Sequence, residues 1–196
     1  RVSSGAMEGK VLSIIAGLRR RGINFVAIDF DLTMSDIHSG RSCWNGSVDD
    51  IVVSIRPFFN VFVRYAIQHE LHLAVVTFSK RFDMIESALR ITFGEEIASQ
   101  IVVRGDNATG RWQYNGAGVK SGKQAHMASA AAALEEMTPN LTITRSSSLL
   151  LDDQESNIEI ALENGVFAIR FDDTDVEGTM NCILELFPNH GAIEIA

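Results

Sequence analysis

One stretch, Phe25-Val-Ala-Ile-Asp29-Phe-Asp31-Leu-Thr33, constrains the chain more than any other. Its first residues are apolar without alternation, the pattern of a strand buried on both faces of a parallel sheet. Residues 24–29 are therefore predicted to be a strand, and its end carries Asp29 and Asp31. Carboxylates at the carboxyl end of a strand stand where open α/β sheets bind ligands. Two like charges this close are costly in an interior unless a proton or a cation compensates them. Asp29 and Asp31 thus call for a metal.

The remaining periodicity builds a fold around that strand. Helical spacing is read over 8–21, 51–69, 80–93, from Ser121 to about Met137, 155–164 and 178–187. Largely apolar segments at 71–78, 101–103, 148–151 and 166–171 read as strands. Gly22, Gly94 and Gly165 are placed as helix stops. Pro57 suits a first helical turn if that helix begins near Arg56. Strands alternating with helices predict an α/β fold, a doubly wound, Rossmann-like parallel sheet with helices on both faces. No linker or repeat divides residues 1–196, so one domain is expected. Residues 33–50 form a polar flap beside the carboxylates. Residues 104–120 form a turn-rich connection, with a small hairpin around Trp112 and Tyr114 as one option.

Composition narrows the class. A net charge of −8 disfavours broad nucleic-acid backbone binding but permits a locally positive pocket. No apolar run is long enough to span a bilayer and no signal peptide precedes the first helix, so a cytoplasmic protein is expected; a start trimmed before Arg1 stays open. Cys43 and Cys182 lack metal-type spacing and are expected as reduced thiols. Glycosylation-like triplets at Asn45, Asn107 and Asn140 are short enough to arise by chance.

Chemistry gathers at the predicted strand ends: Asp29 and Asp31, Thr77 with Phe78 and Ser79, Asp152 and Asp153. Lys123 stands at a helix start, where Ser121 and Gln124 match a capping box. Parallel neighbouring strands would bring these groups to one edge. Four carboxylates with oxygen-only ligands suit a hard cation such as Mg²⁺, which shares a substrate phosphate. Thr77 offers a hydroxyl and nearby N–H groups, and Lys123 a positive charge at a helix N-terminus.

In these motifs the chain resembles the haloacid dehalogenase superfamily of phosphohydrolases. Asp29-Phe-Asp31-Leu-Thr33, Val75-Val76-Thr77, the helix-leading Lys123 and Leu150-Leu151-Asp152-Asp153 match its four motifs in order, across residues 23–172. Lys123-Gln-Ala-His126-Met and Leu151-Asp152-Asp153-Gln-Glu-Ser-Asn157-Ile look most like the magnesium-dependent phosphatase-1 group. The flap and Thr77-Phe78-Ser79-Lys80 depart from that group's pattern. The resemblance implies that Asp29 is the nucleophile, forming an aspartyl-phosphate, and that Asp31 is the general acid and base. It implies that Thr77, Phe78 and Lys123 hold the phosphoryl group. Asp29, Asp31 (by its carbonyl), Asp152 and Asp153 would bind Mg²⁺.

Plainer roles compete. An Asp at a strand end often caps a helix, as Asp153 could. Lys120 rivals Lys123, His126 could orient the site or lie on a helix surface, and Trp44 could cover substrate or anchor the flap. His69 and His72 read as packing or surface residues, and Arg19-Arg20-Arg21 as a solvated helix end. A phospho-accepting receiver domain uses similar residue types, but its acidic pair comes first and its Lys last; here the order is reversed. A catalytically degenerate phosphate-binding domain is the remaining alternative. The intervals Asp31–Thr77 and Thr77–Lys123 leave no room for a folded cap domain, so the site should stay open. An open mouth admits a phosphate on a protein or another large molecule, tolerates small phosphomonoesters, or is covered by a partner subunit, which would include a homo-oligomer.

Overall fold

The computed structural model describes residues 4–107, 110–114, 116 and 118–187. Its elements in chain order are α1 (Ser4–Arg20), β1 (Phe25–Ile28), α2 (Val48–Ser54), α3 (Pro57–Gln68), β2 (His72–Val76), α4 (Phe82–Phe93), α5 (Glu95–Ala98), β3 (Ile101–Arg104), α6 (Gln124–Met137), β4 (Ser148–Asp152), α7 (Glu155–Glu163), β5 (Phe167–Arg170) and α8 (Val176–Leu186). The five strands form one all-parallel sheet in the order β3-β2-β1-β4-β5. This is the predicted doubly wound α/β fold. β1 is central, and every residue of it is buried.

Alternation along the strands sorts the core into two layers. Val26, Ile28, Leu73, Val75, Leu149 and Leu151 face α1, α3, α4 and α8, where Phe58, Phe59 and Phe62 supply much of the volume. Phe25, Ala27, Ala74, Val76 and Leu150 face α6 and α7, against Met127, Ala130, Leu134 and Ala161. Phe59 is fully buried, its ring 4.9 Å from Phe58 and 5.3 Å from Phe171, so truncation to Ala costs about 3–5 kcal/mol.

Several boundaries differ from the sequence reading, each for a local reason. The helix expected over 51–69 is two helices, because Pro57 starts a new one and Ile55 and Arg56 are extended. The Ser121–Gln124 capping box does not form. Gly122 takes φ +55, Lys123 occupies the cap position, and only the Gln124 backbone N–H reaches the Ser121 carbonyl. Gln154, not Asp153, precedes α7. No strand appears around Trp112 and Tyr114 among the described residues; the indole N–H instead donates to the Gly105 carbonyl at 3.0 Å. Ala108, Thr109, Asn115 and Ala117 of that connection lie outside the described residues, as do 1–3 and 188–196 of the expected domain. Among the described residues, no helix is long and apolar enough to cross a membrane.

Candidate functional site

The strand order creates the site. The chain leaves β1 toward β2 and β3, then returns to the other side of β1 as β4. Ligand crevices of open α/β sheets lie at the carboxyl ends of strands flanking such a reversal. The register aligns Ile28 with both Val75 and Leu151, and the Asp29 N–H donates to the Leu151 carbonyl at 2.8 Å. Asp29, Thr77 and Asp152 therefore emerge side by side from three adjacent strands.

Lys123 joins them from above. Its side chain is 2% exposed, and Nζ donates to Asp29 Oδ1 at 2.6 Å and to the Val76 carbonyl at 3.0 Å, with Asp152 Oδ2 at 4.0 Å. The same ammonium lies 4.1 Å from the centre of the Phe78 ring, a cation–π contact. Lys120, the rival, lies instead over the Tyr114 ring. One ammonium thus faces several carboxylates. Burial raises the Asp29 carboxyl to about 7; Lys123 opposes the rise, and Asp152 and Asp153 add to it. Burial also raises Asp152, and it raises Asp153 with help from Asp152.

Asp29, Asp152 and Asp153 each offer an oxygen, and these three atoms lie within 4.8 Å of one another. Asp152 is held in place: Asn157 Nδ2 reaches both of its oxygens at 3.0 Å, and the Gln154 N–H donates to Oδ1 at 2.9 Å. Asp153 Oδ1 is buried without a hydrogen-bond partner among the described residues. An oxygen-only trio that burial makes hungry for positive charge, with one acceptor left over, fits a hard divalent cation.

Asp31 goes elsewhere. The strand ends at Ile28, and residues 30–34 make a wide turn in which Met34 and Ser35 N–H groups reach back to the Asp29 and Phe30 carbonyls. Leu32 takes φ +63 there, and Arg56 braces the turn from outside by donating to the Thr33 carbonyl at 3.1 Å. Asp31 is thereby separated from Asp29, and its carboxylate lies outside the acidic trio. It accepts instead from Ser39 N–H (2.8 Å), Ser39 Oγ (2.6 Å) and Gly40 N–H (2.8 Å), with His38 Nδ1 at 3.3 Å. A Cβ on Gly40 would lie 2.9 Å from Asp31 Oδ2, so a side chain there would push the Asp31 carboxylate aside.

The walls complete a cavity of about 140 Å³, lined by Asp29, Asp31, His38, Thr77, Phe78 and Lys123 among others. Thr77 is buried, and its Oγ1 accepts from the Ser79 N–H at 3.1 Å. Phe78 is 50% exposed at the rim. Behind it stands His126, which is neither on the helix surface nor on the cavity wall. Its ring packs edge-on to Phe78 at 5.2 Å and against Trp112 at 4.7 Å, and burial with the nearby Lys123 charge lowers it to about 4. Trp44 anchors the flap: it packs on the main core beneath the Arg81 guanidinium.

Sequence reasoning missed His38, Ser39, Gly40 and Arg81. For the three flap residues the signal was a stretch rich in polar residues and glycine just after an acidic strand end; Arg81, ahead of α4, had none. Compared with family models, curated proteins and solved structures, the chain returns no match. Fold and site together define a doubly wound α/β protein with an acidic, lysine-bearing pocket at its topological switch point.

Proposed function

We propose that the chain is a metal-dependent phosphomonoester hydrolase of the haloacid dehalogenase type, working through an aspartyl-phosphate on Asp29. The observation that carries this reading is the buried 2.6 Å contact of Lys123 with Asp29, beside the Asp152 and Asp153 carboxylates at adjacent strand ends. An Asp held rigidly at a sheet edge, with a cation on one oxygen, is aimed for attack on a phosphorus atom. A receiver-type switch shares such an Asp but has no use for Asp31 at the mouth.

The residues divide the work as follows. Lys123 and Thr77 receive the phosphoryl oxygens, with the Phe78 ring closing one side. Asp29, Asp152 and Asp153, joined by the Asp31 carbonyl, would hold Mg²⁺, which when bound neutralises charge on the transferring phosphoryl group. Asp29 attacks phosphorus, and the bond to the leaving oxygen breaks as that oxygen takes a proton from Asp31. Asp31 then removes a proton from water, which attacks the aspartyl-phosphate and releases inorganic phosphate with Asp29 regenerated.

The substrate class follows from the open mouth. The described residues between Asp31 and Thr77 form the flap, α2, α3 and β2; those between Thr77 and Lys123 form α4, α5, β3 and the connection. Neither interval holds a cap domain among the described residues. Phosphate displayed on a protein or another large molecule is therefore the favoured substrate, with weaker selectivity among small phosphomonoesters. A cytoplasmic setting belongs to the proposal and is supported by the unpaired, exposed Cys43 and Cys182.

The test is a screen of sugar, nucleotide and peptide phosphates against wild type and Asp29→Asn, in Mg²⁺ and in EDTA. Phosphate release should require both Asp29 and Mg²⁺. Turnover that persists in purified Asp29→Asn ends the nucleophile assignment. A single small metabolite preferred over every phosphopeptide by orders of magnitude ends the open-site argument.

A further inference from the structure

Three hydrogen bonds to the Asp31 carboxylate come from Ser39 and Gly40, with His38 Nδ1 also at 3.3 Å, in a segment made of turns and bends. No helix or strand holds that segment, yet Ser39 is fully buried. Something outside it must keep it seated. Arg81, the residue before α4, reaches across from the loop that follows Thr77. Its Nε donates to the Ser39 carbonyl at 3.0 Å, its Nη2 to the Trp44 carbonyl at 2.6 Å, and its guanidinium lies 5.1 Å from the centre of the Trp44 ring.

Among the described residues Arg81 makes no ion pair; its side chain is committed to two main-chain carbonyls and one indole face. The fork geometry matters, because two N–H groups at fixed spacing set the distance between residues 39 and 44. At its other end Arg81 is tied to the candidate phosphate loop. Its backbone N–H donates to Ser79 Oγ at 3.2 Å, and the Ser79 N–H donates to Thr77 Oγ1 at 3.1 Å. A continuous chain of contacts therefore runs from Thr77 through Ser79 and Arg81 to Ser39 and on to Asp31.

We infer that Arg81 is a positioning residue, locking the flap to the Thr77 loop so that Ser39 and Gly40 aim the Asp31 carboxylate at the leaving-group side of the pocket. Arg81 does not touch Asp31 and does not itself line the cavity, so it acts on Asp31 through the Ser39 peptide. The Ser39 residue is pulled by its carbonyl toward Arg81 and by its N–H toward Asp31; releasing one end frees the other. The catalytic half of this inference rests on the phosphatase reading, whereas the mechanical half does not.

Two measurements test it, on Arg81→Met and Arg81→Lys in the full chain. Amide hydrogen exchange needs no activity. In Arg81→Met the Ser39 and Gly40 N–H groups should exchange at least about tenfold faster while β1 and β2 amides stay protected. Unchanged protection at 39 and 40 overturns the inference, and loss of protection throughout the sheet reduces Arg81 to a general stabiliser, overturning it too. Steady-state kinetics is the second arm. For an alkyl phosphate, Arg81→Met should lose about 10–100-fold in kcat, because a misaimed acid forfeits much of its contribution. For nitrophenyl phosphate, whose leaving group needs little protonation, the loss should be no more than about threefold. Arg81→Lys should fall between wild type and Arg81→Met. An equal loss for both substrates overturns a role through Asp31. A wild type that hydrolyses no phosphomonoester in Mg²⁺ sinks the phosphatase reading and the catalytic half with it, and exchange then decides the clamp alone.

Discussion

The floor of the pocket and the flap above it each hold one of two carboxylates that are neighbours in sequence. On the floor, Asp29 is rooted in the central strand, 5% exposed, and shares its surroundings with Lys123, Asp152 and Asp153. Its partners come from strands and a helix start that the core holds rigid. At the flap, Asp31 is fed by backbone and hydroxyl donors from Ser39 and Gly40, on a segment with no regular structure of its own. The floor concentrates charge and so demands a counter-ion. The flap surrounds one carboxylate with backbone and hydroxyl donors and the His38 ring, apart from the acidic trio. That contrast keeps the two proposed duties apart: a fixed nucleophile beside a cation site, and a proton carrier on the flap.

The contrast can be broken most forcefully at the floor. Asp29→Asn should reduce phosphomonoester turnover by at least about 10⁴-fold while the circular dichroism spectrum is kept, since nothing else supplies the nucleophile. Asp31→Asn should cost about 10²–10⁴-fold for an alkyl phosphate and far less for nitrophenyl phosphate. If the two variants lose activity alike on both substrates, the floor and the flap do not have separate roles. Asn157→Ala leaves every proposed ligand in place but frees Asp152, so Mg²⁺ affinity measured by calorimetry should weaken about 10–100-fold. The same substitution should leave the leaving-group dependence untouched.

The smallest effect is a slope with pH. Asp29 is raised to about 7 in the folded chain, against about 3.9 for a free Asp. Between those values the folded state holds more protons than the unfolded one. Stability of the metal-free protein should therefore be greatest at the acid end of that window and fall as pH rises toward about 7. Cation binding has the opposite sign, because the ion must displace that proton. The Tm gain from Mg²⁺ over EDTA should grow from pH 5 to pH 7 and level off above it. A gain independent of pH would show that cation binding displaces no proton from Asp29.

How far this was legible in the sequence depended on the kind of interaction involved. Residues 25–28, 101–103 and 149–151 are recognisable as strands because burial on both faces leaves an unbroken apolar run. Asp29, Thr77, Lys123, Asp152 and Asp153 could be assembled because each ends a strand or opens a helix, and parallel pairing brings such ends together. Arg81 could not, since a charged residue in the first turn of the helix read over 80–93 reads as surface. Its partners are carbonyls, which carry no sequence signature. His126 read as an orienting or surface residue because its aromatic neighbours Phe78 and Trp112 come from other elements. The Ser121–Gln124 pattern misled because a capping box is a local preference worth about 1 kcal/mol, and the buried contacts of Lys123 outweigh it.

By itself, then, the sequence determined the alternation of strands and helices, the two-sided burial of β1, and the set of polar side chains delivered to one edge of the sheet. These follow from backbone hydrogen bonding and apolar periodicity, which act over neighbouring residues. Only the tertiary structure decided that Asp31 turns from Asp29 toward Ser39 and Gly40, that Lys123 is buried against Asp29, and that Arg81 holds the flap. Those outcomes depend on which chain-distant donor reaches a given oxygen, and that is settled only when the elements pack.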